Sequence, residues 1–523
     1  MSSVITKIKL LNYKRFKHYT IEPKPQINVL VGDNEVGKSS VLEAIDLVAS
    51  GNVRKVEAIG IDRLLNVDVV REYNKGDRTY DNLPTMTIEL YLEGNFSHNM
   101  NGKNNTDGVI CDGIRLVCAK NPDYQTEITE ALSEDADYFP FDYYSIRFST
   151  FADEGYTGYK KKLRSILIDS TSMNSDYATA DFVKRMYVQH TEDDTKERAI
   201  HKSKYRQMKD KFRSDNLQEL NDRIPSGKNY EFGLKPSSTT SLEGDLMIYE
   251  DSIGIDRKGT GRQVFVKTDF ALERSGTNVD VVLIEEPENH LSHTNLRKLV
   301  KLIAEAQKGQ LFIATHNSLI STRLELNNLL IMHENSEDSP VSLSKLDKET
   351  AKYFTKAPVA GVLEYTISRK AVLVEGPSEY MLFERFYETV AGCKPEEDGV
   401  HIIDVRGLSF KRYLDIAEVL KNKVAVVTDN DGDKQAKCID KYADFANESN
   451  IKVFFDDDNT KTTFEVVLYG DNQDLCSKLF SNSSDVQKYM LKNKTEVAYK
   501  LLTQDEEIAV PTYIKEAIEW IRQ

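Results

Sequence analysis

Ile27-Asn28-Val29-Leu30-Val31-Gly32-Asp33-Asn34-Glu35-Val36-Gly37-Lys38-Ser39-Ser40 joins a short apolar run to a glycine-bounded loop, then to a segment with helical spacing that continues to Val48. Gly32 to Ser39 fits GxxxxGK(S/T) in the strand, loop and helix setting that this pattern needs. Its glycines let backbone N–H groups close around phosphate oxygens, Lys38 would reach the β- and γ-phosphates, and Ser39 would hold Mg²⁺. Asn34, Gly37, Lys38, Ser39 and Ser40 are therefore the candidate nucleotide contacts. Taken alone, the stretch also fits a glycine-rich strand-to-helix turn.

Working outward, Val4–Leu11 alternates apolar and polar residues, and Thr85–Leu92, Gly113–Cys118 and Tyr143–Phe148 also read as strands. From about Gly158 to Asn221 the chain is highly charged with helical spacing, which predicts a helical insertion over 158–223. A Pro/Gly/Ser/Thr-rich connector follows, Ile224 to Glu243. Strand–helix alternation resumes with Val279–Ile284, a helix over Thr294–Ala306 and Gln310–Ala314, predicting parallel α/β layering. After the polar stretch His333–Ser339 and a helical link ending near Arg369, a second series begins: Ala371–Val374, Val400–Val405, Val424–Thr428 and Ile451–Phe455. The expected organisation is an α/β domain over 1–340, a linker over 341–368 and a second α/β domain over 369–523.

Val281-Val282-Leu283-Ile284-Glu285-Glu286-Pro287-Glu288-Asn289-His290-Leu291 ends a buried apolar strand in two adjacent acids, a costly arrangement unless they meet a metal or hydrogen-bond donors. Glu285 would support Mg²⁺ and Glu286 would polarise an attacking water. Thirty residues beyond Glu286, another apolar strand ends in Thr315-His316. A lone histidine there is usually structural, but its order and spacing fit a γ-phosphate sensor. These elements resemble the ABC-type ATPases of recombination and chromosome maintenance, whose second acidic segment often reads EEPExH. That resemblance implies ATP held between two heads, and a signature loop. Gly259-Thr260-Gly261-Arg262-Gln263 resembles LSGGQ, with Gly for Leu, Thr for Ser and Arg for the second Gly, which makes Thr260, Gly261 and Gln263 candidate nucleotide contacts from a partner subunit. No glutamine stands out as a Q-loop.

In the second series, Ala371-Val372-Leu373-Val374-Glu375-Gly376-Pro377-Ser378-Glu379 is a strand ending in a carboxylate, a tight turn, and a second carboxylate in the first helical turn. Fifty-four residues after Glu375, Val424-Ala425-Val426-Val427-Thr428-Asp429-Asn430-Asp431 ends a strand in DxD. Carboxylates at the carboxyl ends of parallel strands converge where open α/β sheets place ligands, and such hard oxygen donors suit Mg²⁺ or Mn²⁺. Alone, the DxD also fits a surface turn. Glu465, next to a predicted helix, is a further candidate ligand. Lys494 is either a solvated helical lysine or a charge placed near a scissile phosphate.

The strand–Glu–helix and strand–DxD pairing resembles the Toprim domain of topoisomerases, primases and certain nucleases. An ABC-type head followed by Toprim, in that order, resembles the OLD (overcoming-lysogenization-defect) nucleases, whose relatives include Gabija-type and retron-associated antiphage effectors. The resemblance implies an ATPase domain over 1–340 that dimerises through its 158–223 insertion, and a Toprim nuclease domain over 369–523. It further implies a homodimeric or homotetrameric DNA endonuclease governed by ATP, in which Glu375, Glu379, Asp429, Asp431 and Glu465 hold two metal ions. Lys494 matches the family's C-terminal lysine segment. A second defence-system protein or a nucleic acid is a further expected partner.

The 523 residues carry a formal net charge of −15, which speaks against nonspecific nucleic-acid binding by the whole surface. A local exception is Lys196–Arg213, with eight Lys/Arg against Glu197 and Asp210. It reads as a nucleic-acid contact or as the solvated face of dimerisation helices. No apolar run approaches the ~20 residues that cross a bilayer, and Met1–Leu10 lacks a secretory apolar stretch, so a cytoplasmic location without membrane contact is expected. Five scattered cysteines form no CxxC pair, which weakens a primase reading, and no tyrosine stands out as a topoisomerase nucleophile. The alternative from another class is an ATP-switched DNA clamp or sensor whose Toprim unit recruits partners.

Overall fold

The computed structural model describes residues 4–94, 96, 98–134, 138–158, 162–169, 176–191, 194–224, 230–234, 242–273, 280–289, 291–305, 309–333, 339–356, 361–406 and 409–523. His290, much of the 224–243 connector and most of the polar stretch after His333 lie outside the described residues. The chain folds as two compact units, one built mainly from Met1–Leu30 and Gly37–Thr315, the other from Val31–Val36, His316–Glu334 and Pro340–Gln523. Among the described residues no helix is long and apolar enough to cross a membrane.

The first unit holds two sheets. β1 (Val4–Tyr13), β2 (Phe16–Ile21), β4 (Met86–Glu93), β5 (Cys111–Lys120) and β6 (Tyr144–Thr150) pair antiparallel in the order β2-β1-β4-β5-β6. β3 (Ile27–Val31) leads through the Gly32–Gly37 loop into helix α1 (Lys38–Ser50). α1 buries Val41, Leu42, Ile45 and Val48 and stops at Gly51, whose left-handed φ of 56° suits glycine. β3 belongs to a parallel sheet with β7 (Ser165–Asp169), β8 (Val281–Glu285) and β9 (Gln310–Ala314), in the order β3-β9-β8-β7.

One sequence expectation is corrected here. Ser165–Asp169 is not part of a helical insertion but a strand paired in register with β8, Glu285 opposite Asp169. Its apolar Ile166-Leu167-Ile168 core is too short to outweigh the charged segments around it. The helices come later, α2 (Asp176–His190) and α3 (Thr195–Asn216). α4 (Thr260–Glu273) and α5 (His293–Glu305) complete the elements used below.

The second unit contains α6 (Gly361–Ile367), β10 (Lys370–Val374), α7 (Pro377–Ala391), β11 (Val400–Asp404), α8 (Phe410–Leu420), β12 (Lys423–Val427), β13 (Ile451–Phe454), α9 (Phe464–Asp471), α10 (Lys494–Thr503) and α11 (Thr512–Arg522). The four strands are all parallel, in the order β11-β10-β12-β13. Val372, Val374, Ala425 and Val427 pack against Leu382, Phe386, Phe464, Ile514 and Ile518 in one apolar core. Parallel strands buried on both faces need such near-continuous apolar runs, which is why the four strands were readable.

A close approach in the first unit gives a direct test. A Cβ on Gly113 of β5 would stand 2.1 Å from the buried Phe151 ring, which itself stacks edge-on against Tyr91 at 4.9 Å. Gly113→Ala should cost about 1–3 kcal/mol of unfolding free energy, read as a lowered urea midpoint; an unchanged midpoint would show that the ring moves aside without strain.

Candidate functional site

Two clusters of carboxylates form in the two units. In the first unit, Gly37 adopts φ 96° ahead of α1, and a Cβ there would lie 2.5 Å from the Phe16 ring, so the loop needs glycine at this position. Lys38 is buried, and Ser39 hydrogen-bonds the Glu285 carboxylate at the end of β8. Burial raises the Glu285 pKa, the Ser39 bond opposes that rise, and the charges of Asp169, Glu286 and Glu43 add to it. Glu286 sits at a left-handed φ of 41°, donating its N–H to Ala314 O at 2.8 Å, while Asn289 Nδ2 donates to its carboxylate at 2.7 Å. Glu288 accepts a 2.6 Å bond from Thr315 Oγ1. A left-handed glutamate costs on the order of 1–3 kcal/mol, and its bonds hold it there.

Asp169 and Asn289 were not singled out from sequence. The first lay inside an assumed helical region. The second could have been found as an amide three residues after the second acid.

In the signature-like segment, Thr260 and Gly261 begin α4. Gln263 is buried, its amide donating to Lys258 O at 2.8 Å and Asp256 O at 3.4 Å, so it braces the loop from within. Arg262 and Lys258 both pair with Glu250, and their bonds hold that carboxyl down at about 2.

In the second unit, Gly32, Asp33, Asn34 and His316 line a cavity of about 260 Å³ together with Leu363 and Ile367 of α6. A Cβ on Gly32 would meet Met332 O at 2.2 Å, which again demands glycine. Leu363 and Ile367 had no local signal, because they read as ordinary apolar helix positions.

The second acid cluster lies at the carboxyl edge of the β11-β10-β12-β13 sheet. Glu375 follows β10 and is exposed; Glu379 is buried in the first turn of α7. Asp429 follows β12, and its Oδ1 accepts the Phe464 N–H at 2.8 Å at the start of α9. Glu465, one residue on, is 2% exposed and meets Lys494 Nζ at 2.8 Å.

Burial, then the charges of Asp429, Glu465 and Glu375, push Glu379 up to about 8 despite its own backbone bond. Burial, then Glu375 and Glu465, push Asp429 up to about 7, against the Phe464 N–H and Lys494. Burial pulls the Lys494 pKa down, but the bond to Glu465 and the charges of Glu465, Asp429 and Glu379 raise it on balance. Asp431 stands apart. It is exposed at φ 46°, donates its N–H to Thr462 O and faces Lys437 at 3.8 Å.

Two further residues belong to this cluster. Buried Asn430 donates to Asp456 O (2.8 Å) and Asp458 O (3.0 Å) and accepts from Gly432 N (2.9 Å), tying the DxD turn to the next loop. Buried Tyr513 has its hydroxyl pushed up by burial and by Asp429, Glu379, Asp456 and Glu465. Asn430 was visible as the middle residue of DxD, whereas Tyr513 comes from a distant helix and left no trace.

Among the described residues no three His, Cys, Asp or Glu side chains stand at metal-coordination spacing. The donor set nevertheless fits a hard divalent cation, since carboxylates that raise one another's pKa are what a 2+ charge relieves.

Three stretches of the chain match models of known families. Residues 367–431 match the model described as "Overcoming lysogenization defect protein-like, TOPRIM domain". Residues 4–243 match an AAA ATPase domain, and residues 259–322 an AAA domain. Endonuclease GajA of Bacillus cereus (strain VD045) is 25% identical over 229 residues, a match spanning 41% of this chain and 39% of GajA. Among solved structures, the Smc head domain derived from Pyrococcus furiosus is 14% identical with a TM-score of 0.32, covering 68% of this chain and 100% of that one. The C-terminal region of the Burkholderia pseudomallei OLD protein is 18% identical with a TM-score of 0.24, covering 30% and 97% respectively. The protein is thus an α/β ATPase head followed by a Toprim domain. Its Toprim part is OLD-like, and the chain is a distant homologue of GajA.

The raised carboxyls predict a pH dependence. With folded pKa values of about 7 and 8 against ordinary values near ~4, Asp429 and Glu379 bind more protons in the folded state, so stability is lost as pH rises through that window. In chelator, the melting temperature of the second unit should fall between about pH 5 and pH 8, and Asp429→Asn should make that fall shallower. A flat profile in the unsubstituted protein would count against the crowding.

Proposed function

We propose that this protein is a nucleotide-regulated, divalent-metal-dependent DNA endonuclease that works in antiphage defence. The observation that carries the reading is the joint placement of Glu375, Glu379, Asp429 and Glu465 with Lys494 at one edge of the Toprim sheet. GajA, by its name an endonuclease, supports it.

Glu375, Glu379, Asp429, Asp431 and Glu465 would hold Mg²⁺ or Mn²⁺. Bound there, the metal supplies Lewis-acid polarisation and offsets charge on the attacking and leaving oxygens. Lys494 puts a positive charge beside Glu465, where it can draw in and steady a phosphate. Phe464 N–H keeps one Asp429 oxygen fixed, leaving the other for a cation.

In the ATPase head, Asn34, Gly37, Lys38, Ser39 and Ser40 would take the ATP phosphates and their Mg²⁺, with Glu285 behind the ion. Glu286 would orient water and His316 would sense the γ-phosphate. Thr260, Gly261 and Gln263 would serve a partner's nucleotide.

Helix α3 supports homodimerisation. It buries no residue of its own and leaves Ile200, Met208 and Phe212 45%, 58% and 48% exposed. Apolar side chains left in water at that density favour a second copy of the chain. The lysines and arginines around them would serve DNA or another nucleic acid.

Purified protein with Mg²⁺ or Mn²⁺ should nick supercoiled plasmid. Asp429→Ala should reduce nicking by at least the roughly tenfold to hundredfold that losing a ligand's supporting partner costs, while ATP hydrolysis persists. Equal nicking by Asp429→Ala would overturn the assignment, and Lys38→Ala run beside it gives the sign of nucleotide control. Separately, Met208→Asp with Phe212→Asp should lower the solution mass measured by light scattering; an unchanged mass would remove α3 from the interface.

A further inference from the structure

Helix α10 begins with Lys494, a cation at the end of a helix that favours anions. Its opposite end is held from α7, the same helix that carries Glu379. The Arg385 Nη1 atom donates to the carbonyls of Leu501 (3.0 Å), Leu502 (3.1 Å) and Gln504 (2.8 Å), and Nη2 donates to Glu506 O (2.7 Å). Leu501 and Leu502 lie in the last turn of α10, where carbonyls have no following N–H within the helix. The helix ends in extended backbone at Gln504 rather than in a left-handed glycine, so the guanidinium takes the place of a cap.

We infer that Arg385 is a positioning residue for cleavage: by gripping the carboxyl end of α10 from α7, it sets where Lys494 stands relative to the Toprim acids. Buried Val497, Ala498 and Leu501 fix which face of α10 points inward and seat its middle, but they make no bond to the open carbonyls of its last turn. Four carbonyl contacts on one planar group, at least two of them sharing an Nη1 hydrogen, hold that end. A shift or loosening of α10 would move the backbone that carries Lys494 relative to its 2.8 Å contact with Glu465, and small misplacements of a charge beside the reacting group are costly. Lysine cannot replace the grip, since an ammonium offers three donors from one point and not a fork.

The inference rests on Lys494 acting in cleavage, and the test separates the two. Full-length Arg385→Lys, Arg385→Gln, Lys494→Ala and the Arg385→Lys/Lys494→Ala double variant are compared in plasmid nicking with Mn²⁺. Hydrogen exchange over 494–503 and 377–391 is measured on each. Arg385→Lys should lower kcat about tenfold to a hundredfold with KM for DNA nearly unchanged. It should have no further effect once Lys494 is alanine, and it should speed exchange over 494–503 but not over 377–391. If Lys494→Ala nicks like the unsubstituted protein, the reading of Lys494 falls and the inference with it. If Lys494→Ala is impaired but Arg385→Lys costs the same factor in both backgrounds, that reading stands and the inference is overturned. Unchanged exchange over 494–503 in both Arg385 variants overturns it as well.

Discussion

Carboxylates are hard to bury together, and the second unit is organised around doing so. Glu379, Asp429 and Glu465 are drawn into one crevice with Glu375 at its mouth, and burial, then mutual repulsion, pushes Glu379 to about 8 and Asp429 to about 7. Isolated in an apolar core, such groups would simply stay protonated. Here each has a partner that favours the charged form: Phe464 N–H for Asp429, its own backbone for Glu379, and Lys494 for Glu465. The partners come from α9, α7 and α10, so the helices that cover the sheet are also what makes its acidic edge possible.

The first unit meets the same difficulty on a smaller scale. Glu285 and Asp169 end neighbouring parallel strands in register, so their charges face each other across one strand spacing. Ser39 offsets part of this by hydrogen-bonding Glu285, and the backbone at Glu286 turns left-handed, which turns the chain off the strand path just after Glu285. In both units, short parallel strands deliver acids to a common edge, and a glycine-containing turn or strained residue follows at once: Gly376 after Glu375, Glu286 after Glu285. That is the usual place for ligands in open α/β sheets, for the geometric reason that strand ends converge there.

How much of this was legible in the sequence depended on range. Strands β3, β8, β9, β10 and β12 were readable because each is a dense apolar run, closed by Thr315-His316 after β9 and by Gly, Asp or Glu in or just past the end of the others, and the acids there were readable with them. β7 was not, since three apolar residues inside a charged region look like the inner face of a helix. Glu465 and Lys494 could be nominated, but their 2.8 Å contact brings together residues from two separate helices and has no periodic signature. Tyr513 and Arg385 were illegible for the same reason. A buried tyrosine and a helix-surface arginine are ordinary in composition, and only the packing of α11 and α10 gives them their neighbours.

The acids also divide by exposure, and that division bears on how the crevice takes up a cation. Glu379 and Glu465 are buried and held by bonds, so they cannot travel far. Glu375 and Asp431 are exposed, and Asp431 faces a lysine 3.8 Å away, a contact weak enough to give up. As the side chains stand, no three of the described acids meet at coordination spacing. In the proposed metal site, the buried pair would be the fixed members and the exposed pair the ones able to swing onto a cation. A site built this way would gain affinity from its rigid members and keep enough freedom in the others to accept a phosphate at the same time.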